Sequence, residues 1–186
     1  MGGGPQSPGR APMSLEADPI LAADLNAAAH LTGRFVLRSG AVSDTYFDKF
    51  RFESDPALLR RVAKRMLALI PPDTDALAGL ELGGVPIATA MALESGLPAV
   101  FVRKAAKAYG TCRAVEGREV KGLNLAIVED VISTGGAIAD GAVHLRAEGA
   151  SINGVVCAVW RGAGAPTIAA LPGVPVWAAF LQSEFS

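Results

Sequence analysis

The chain has 186 residues, of which 51% are hydrophobic and 19% are charged, a length and balance typical of one soluble globular domain. No apolar run approaches the roughly 18 residues that a membrane span needs, so we expect no membrane partner. The formal net charge of −1 excludes a general attraction to nucleic acid. Any anion binding must therefore be local.

The opening residues, MGGGPQSPGRAPMS, are rich in Gly, Pro and Ser and lack the apolar segment of a signal peptide. We expect residues 1–13 to form a disordered leader, with Met13 as an alternative start, and residues 14–186 to form a single domain. The two cysteines, Cys112 and Cys157, match no CxxC or metal-ligand spacing, which favours a reducing cytoplasm over secretion.

The first third of the chain predicts two helices with a hairpin between them. DPILAADLNAAAHL, from Asp18, has an N-cap, a proline at the first helical position and helical apolar spacing, so we expect a helix that ends near Gly33. In RFVLRSGAVSDTYFDKF, two β-branched or aromatic runs flank Ser39-Gly40 and predict a hairpin. DPALLRRVAKRMLALIPP repeats the capped helical pattern and stops at Pro71-Pro72.

The rest of the chain alternates between strand and helix patterns. Short apolar runs without polar alternation predict strands buried on both faces: ALAGLE, AVFVRK, NLAIVED, INGVVCAVW and VWAAFL. Crossover helices are predicted in VPIATAMALESG and GAIADGAVHLRAEGA, with a less regular one in APTIAALPG. The fold predicted is α/β, a central parallel sheet flanked by helices, with ligands beyond the carboxyl ends of the strands.

The segment VEDVISTGG combines two carboxylates with a small-residue turn. We expect Glu129 and Asp130 to close a central strand and Ser133 to Gly136 to lead into the next helix. Backbone N–H groups and hydroxyls in such a turn bind phosphate, whereas the carboxylates accept hydrogen bonds from a diol. Ribose 5-phosphate has that layout. The alternative is a polar strand end before a flexible turn, and the order of residue types favours the phosphosugar.

Other catalytic motifs are missing from the sequence. It has no GxxxxGK[ST], no GxGxxG after a strand and no GxSxG. We expect His30 and His144 to be surface or packing residues. A nucleophilic role for Cys112 is disfavoured because no histidine lies near it in sequence.

VEDVISTGG resembles the phosphoribosyl pyrophosphate (PRPP) signature of type I phosphoribosyltransferases. FVLRSGAVSDTYFD, GLELGGVPIATAMA and FVRKAAKAYGTCRAVEG resemble, in order and spacing, segments of orotate phosphoribosyltransferases. The resemblance runs from Gly33 to Arg161. It implies the type I phosphoribosyltransferase fold with a small N-terminal hood, and transfer of ribose 5-phosphate from PRPP to orotate in pyrimidine nucleotide biosynthesis. It also implies a homodimer, and Mg²⁺ held by PRPP and water with no direct protein ligand.

The resemblance also implies roles for single residues. The ribose and its 5'-phosphate would be held by Glu129, Asp130, Val131, Ile132, Ser133, Thr134, Gly135 and Gly136. The pyrophosphate would be met by Gly83, Gly84, Arg103 and Lys104, and by Lys107 and Tyr109 in a lid loop shared across the dimer. Orotate would contact Arg38, Tyr46, Phe47, Ser133 and Arg161. The residues implied in catalysis are Lys107, Lys104, Arg103 and Asp130.

Two positions depart from the family pattern. Tyr109 stands where many members carry His, and Trp160 stands where an acidic residue is common, so we expect the indole to reshape the base pocket. Two alternative functions stay open: a phosphoribosyltransferase for another heterocyclic base, and a non-catalytic PRPP-sensing regulator. A sensor has little use for Lys104 and Lys107 as a clamp on a leaving group, which favours an enzyme.

Overall fold

The computed structural model describes residues 15–37, 40–105 and 113–185. A six-stranded sheet lies at its centre. Its strands are β3 (Ala76–Leu80), β4 (Ala99–Val102), β5 (Val115–Glu116), β6 (Asn124–Ile132), β7 (Ser151–Trp160) and β8 (Val176–Leu181). Their order across the sheet is β5-β4-β3-β6-β7-β8. All neighbours pair in parallel except β4 and β5.

A small hood precedes the sheet. Helix α1 (Pro19–Ala29) leads into an antiparallel hairpin of β1 (His30–Val36) and β2 (Val42–Phe47), and the short helix α2 (Lys49–Glu53) follows. Helix α3 (Pro56–Leu67) then leads to β3. A 3₁₀ turn, Gln182–Phe185, ends the described chain.

Helices cover both faces of the sheet because its central strands carry apolar side chains on both sides. One core cluster joins α1, α3 and α4 (Gly84–Ser95) to the sheet and includes the fully buried Leu25, Met66 and Met91. The other lies under α5 (Gly136–Ala147) and includes Ile127 and Leu145. This arrangement confirms the α/β class and leaves the carboxyl ends of β3, β4, β6 and β7 on one edge.

Four sequence predictions need correction. Helix α1 ends at Ala29 and not near Gly33, because His30 already pairs with Phe47 in the hairpin. APTIAALPG forms no helix; its backbone makes isolated turns, such as the N–H of Leu171 donating to the carbonyl of Ile168 at 2.9 Å, and both side chains reach the core. The sheet is not wholly parallel, since β5 runs antiparallel to β4.

The fourth correction concerns β6, which does not close at Asp130. It continues to Ile132, because Val131 and Ile132 pair with Val159 and Trp160 of β7. Both carboxylates therefore lie inside the strand. Within the described ranges, no helix is long and apolar enough to cross a membrane.

Candidate active site

Two helices begin at the carboxyl edge of the sheet without a side-chain cap. Helices α1 and α3 are capped: Asp18 accepts from Leu21 N at 2.9 Å, and Asp55 accepts from Ala57 N at 2.8 Å. By contrast, no described side chain caps α4 after Gly83 or α5 after Gly135. Since β3 and β6 are neighbours, both sets of free N–H groups lie at one edge, where they can bind anions.

The turn before α5, where the sequence predicts phosphate binding, forms a small cavity. Gly135 has φ +80, a left-handed conformation that favours glycine, and the Ile168 side chain packs beside it. A cavity of about 180 Å³ is lined by Glu129, Val131, Ile132, Ser133, Thr134, Gly135 and Gly136, together with Ala137 and Ile138. The structure therefore brings Glu129 and the predicted phosphate residues together.

The turn before α4 needs glycines for space. A Cβ atom on Gly83 would overlap Oδ2 of Asp130, and one on Gly84 would overlap the carbonyl oxygen of Val128. Neither glycine has a positive φ, so conformational freedom is not the reason for them. Gly83 and Gly84 let the first turn of α4 lie directly against β6.

Arg103 and Lys104 follow β4 and face this edge. They line a cavity of about 490 Å³ together with Glu81, Thr134, Gly136 and Asp140 and neighbouring residues. The backbone N–H of Lys104 donates to Oε2 of Glu81 at 3.1 Å. Nε of Arg103 is buried and has no hydrogen-bond partner within the part of the chain that the structure describes. Both cations are therefore placed to meet an anion beside the phosphate turn.

Asp130 and Glu129 belong to a buried cluster that includes two residues of α2. Nζ of Lys49 lies 2.6 Å from Oδ2 of Asp130, and Oδ1 of Asp130 accepts from the N–H of Val131. Oε1 of Glu129 accepts from the N–H of Asp130 at 3.0 Å. The side chain of Glu53 is also buried. Three carboxyl groups thus share one ammonium group.

The cluster changes the acidity of its members. Burial, reinforced by Asp130, raises the pKa of Glu129 to about 8 and that of Glu53 to about 9. Burial lowers the pKa of Lys49, but the neighbouring Asp130 outweighs this effect and leaves it raised. At pH 7, Glu129 and Glu53 therefore keep their protons, and Lys49 keeps its charge.

Sequence reasoning missed Lys49 and Glu53. The available signal was their spacing, because positions i and i+4 share one face of a helix. Asp130 is fully buried and is not among the residues lining the cavities above, whereas Glu129 lines the phosphate cavity. Contact between Asp130 and a ribose stays a prediction.

A third cavity, of about 320 Å³, lies between the hairpin and the sheet. It brings together Tyr46, Phe47 and Arg161, three of the residues predicted to bind a base. The backbone N–H of Arg161 donates to the carbonyl of Ile132 at 2.8 Å, which ties this cavity to the end of β6. The rings of Phe47 and Phe185 meet edge to face at 5.7 Å. Ser133 is not among its lining residues.

His30 is exposed, in agreement with the expectation of a surface residue, and it also lines this third cavity. Its Nδ1 lies 3.2 Å from Oδ1 of Asn26. His30 lies apart in sequence from the residues predicted to bind the base, so no sequence pattern indicated this placement.

Comparisons with known proteins agree with this arrangement. A family model described as phosphoribosyl transferase domain matches residues 53–172. An orotate phosphoribosyltransferase of a Nocardioides species is 55% identical over 144 residues, covering 77% of this chain and 80% of that protein. The chain belongs to the orotate phosphoribosyltransferase family.

Further members of the orotate phosphoribosyltransferase family are also similar. The Methanocella arvoryzae enzyme is 42% identical over 154 residues, covering 82% of this chain and 87% of that protein. The crystal structure of the Aeropyrum pernix enzyme superposes with a TM-score of 0.76 at 32% identity, covering 89% of this chain and 95% of that one. The family predicted from VEDVISTGG and its neighbouring segments is therefore confirmed.

Some positions singled out in the sequence lie outside the described residues: Arg38, Lys107 and Tyr109, which the resemblance implies, and Cys112. Trp160 is described, and the expectation about it is wrong. Its indole is buried in the core cluster under α5, donates to the carbonyl of Gly164 at 3.1 Å, and is not among the residues lining the third cavity. The bulk of Trp160 therefore fills the core.

The binding of a metal ion at this edge stays a prediction. Within residues 15–37, 40–105 and 113–185, no group of three or more His, Cys, Asp or Glu side chains could hold a metal ion. Oδ2 of Asp130 already faces the ammonium of Lys49. A hard cation such as Mg²⁺ would therefore rely on substrate and water oxygens for most of its ligands.

Proposed function

We propose that the chain transfers ribose 5-phosphate from PRPP to the ring nitrogen of orotate, which gives orotidine 5'-phosphate and pyrophosphate in pyrimidine nucleotide biosynthesis. One observation carries this proposal: the uncapped N-termini of α4 and α5 and the carboxyl group of Glu129 meet at a single sheet edge. That edge offers two anion sites beside a diol acceptor, which is the layout of PRPP.

The proposed reaction needs positioning and charge neutralisation more than a protein nucleophile. The bond between the anomeric carbon and the pyrophosphate oxygen breaks as positive charge develops on the ribose, and the base nitrogen then attacks that carbon. N–H groups at the two helix ends hold the 5'-phosphate and the pyrophosphate in place. Arg103 and Lys104 stabilise the negative charge that the leaving pyrophosphate gains.

We further propose that PRPP binds as its Mg²⁺ complex, with the ion held by pyrophosphate and ribose oxygens and by water. The ion supplies charge neutralisation to the leaving group when it is bound. Arg103, whose Nε is buried without a partner within the described chain, supplies a donor from the protein side.

The third cavity would take the base. Arg161 is exposed toward solvent, so its guanidinium can form a bidentate contact with the carboxylate of orotate. Tyr46 and Phe47 would bound the ring, and Arg38 and Ser133 would add polar contacts. Uracil has no carboxylate and would leave the guanidinium unpaired, which disfavours it as a substrate.

We propose a cytoplasmic homodimer in which the loop around Lys107 and Tyr109 closes on the partner's site. Closure would exclude water from an activated ribose. On this proposal, Lys107→Ala lowers turnover greatly and leaves PRPP binding largely intact. Cys157 is a buried free thiol, which fits a reducing compartment.

The proposal is tested by incubating the full chain with PRPP, Mg²⁺ and orotate, following the absorbance of orotate and identifying products by mass. We expect loss of orotate with equal amounts of orotidine 5'-phosphate and pyrophosphate, and no reaction when EDTA removes the metal. PRPP binding without any product would favour a sensor. Product formed from another base but not from orotate would favour a different acceptor.

A further inference from the structure

The strongest unassigned feature is the contact between α2 and β6. Lys49, at the start of α2, reaches Oδ2 of Asp130 with its Nζ at 2.6 Å. The Asp130 side chain is fully buried, and that of Lys49 is 35% exposed. A buried carboxylate loses the stabilisation of water, so its ionised form depends on such a partner.

The ammonium group of Lys49 offsets the charge of the carboxyl groups buried around it. The ionisable groups that face Lys49 are Asp130 and Glu129 from β6 and Glu53 from its own helix. All three carboxyl residues are at least nine-tenths buried. Within the described chain, the ion pair with Asp130 places the ammonium group of Lys49 among them. Without its ammonium, like charges in a region of low dielectric would oppose ionisation of every member.

A relay of hydrogen bonds connects this ion pair to the phosphate cavity. Asp130 uses Oδ2 for Lys49 and Oδ1 for the N–H of Val131. The N–H of Asp130 in turn donates to Oε1 of Glu129 at 3.0 Å. Glu129 lines the cavity with the turn from Ser133 to Gly136. The ammonium of Lys49 therefore fixes the strand segment that presents Glu129.

We propose that Lys49 is a positioning residue for PRPP: it holds Asp130 in place and favours the ionised form of Glu129, which accepts the ribose hydroxyls. This inference rests on the proposed function. Lys49 contacts the substrate only through these carboxylates.

Glu53 completes the cluster as a neutral group. Its oxygens are buried, and its raised pKa means that it holds a proton at neutral pH. A protonated carboxyl can donate to the neighbouring Asp130, which adds a second favourable contact to that carboxylate. Glu53 therefore adds no charge to the cluster at neutral pH.

The test measures the dissociation constant of PRPP with Mg²⁺ by calorimetry, at pH 7 and pH 9, for wild type, Lys49→Met and Lys49→Arg. Lys49 lowers the pKa of Glu129, so its removal moves ionisation of Glu129 to higher pH. We therefore expect Lys49→Met to bind PRPP about tenfold more weakly at pH 7 and only about twofold more weakly at pH 9. Lys49→Arg keeps the charge and should stay within about threefold of wild type.

A matched control and a double variant separate positioning from folding. Lys64 is an exposed residue of α3 that pairs with Glu94 of α4. Lys64→Met should leave PRPP binding unchanged at both pH values. If Lys49 acts through Asp130, Lys49→Met should add little to the loss already caused by Asp130→Asn. The KM for orotate should not change in Lys49→Met.

Two results would overturn the inference while leaving the proposed function standing. In one, Lys49→Met binds PRPP like wild type at pH 7. In the other, its loss of affinity is equal at pH 7 and pH 9 and adds fully to that of Asp130→Asn, which is the behaviour of a purely structural residue. A wild-type chain that does not bind PRPP would overturn both.

Discussion

Gly83 leaves the space that the carboxylate of Asp130 occupies. A Cβ atom at position 83 would overlap Oδ2 of Asp130, the oxygen that also faces Lys49. There is therefore no space for a side chain between the first turn of α4 and the carboxylates of β6. This packing holds the uncapped start of α4 directly against β6.

Replacement of Gly83 by Ala should damage both stability and PRPP binding. The added methyl group must displace Asp130 or α4, and such overpacking typically costs about 1–3 kcal/mol of unfolding free energy. Calorimetry with PRPP and urea unfolding would measure the two effects. Thr89→Ala, at an exposed position of the same helix, should change neither. Wild-type affinity in Gly83→Ala would contradict the close packing of Gly83 on Asp130.

The affinity for PRPP should rise with pH through the titration of Glu129. The pKa of Glu129 is about 8, and its ionised form is the stronger hydrogen-bond acceptor. The phosphate groups of PRPP are already ionised above pH 7. We therefore expect the KM for PRPP to fall by up to about tenfold between pH 7 and pH 9. Glu129→Gln should bind weakly and show no such trend; a trend that persists in this variant would assign the titration to another group.

Glu53 should make the fold less stable as pH rises. Its pKa is about 9 in the folded chain against an ordinary value of 4.5, so the folded state binds more protons between these values and the free energy of unfolding falls across that window. The amide of Glu53→Gln does not titrate in this range. Relative to wild type, this variant should gain roughly 1–3 kcal/mol between pH 5 and pH 8 in urea unfolding. If the difference in unfolding free energy between Glu53→Gln and wild type is the same at pH 5 and at pH 8, Glu53 ionises normally.

Arg161 should control the choice of base. A hydrogen bond to a charged group contributes about 1.5–3 kcal/mol, so kcat/KM for orotate should fall roughly 10- to 100-fold in Arg161→Ala, with the KM for PRPP unchanged. Arg161→Lys keeps the charge without the bidentate geometry and should be intermediate. Steady-state kinetics with each substrate varied in turn would show the split. An equal loss for PRPP and orotate would place Arg161 outside the base site.

Local patterns predicted the elements that local forces determine. The proline and aspartate caps located α1 and α3, and uninterrupted apolar runs located the strands that both faces of the sheet bury. The sequence VEDVISTGG placed Glu129 beside the phosphate turn because a strand end and a helix start are adjacent in the chain. These predictions needed no knowledge of distant contacts.

Tertiary contacts decided the features that local patterns missed. The short helix α2 is too brief to be stable alone, and its Lys49 finds a partner only when β6 is folded beside it. His30 meets Arg161 at one cavity only because the hairpin folds back over the sheet. The indole of Trp160 faces the core because of its position in β7, which an alignment of residue types does not reveal.

The most direct test of the account is a competition assay in which orotate, uracil and other bases share one limiting pool of PRPP with Mg²⁺. We expect orotate to be consumed alone, in equal amount with the pyrophosphate released, and Arg161→Ala to lose that preference. Consumption of a different base, or of none while PRPP still binds, would contradict the assignment of orotate to the cavity that contains Arg161.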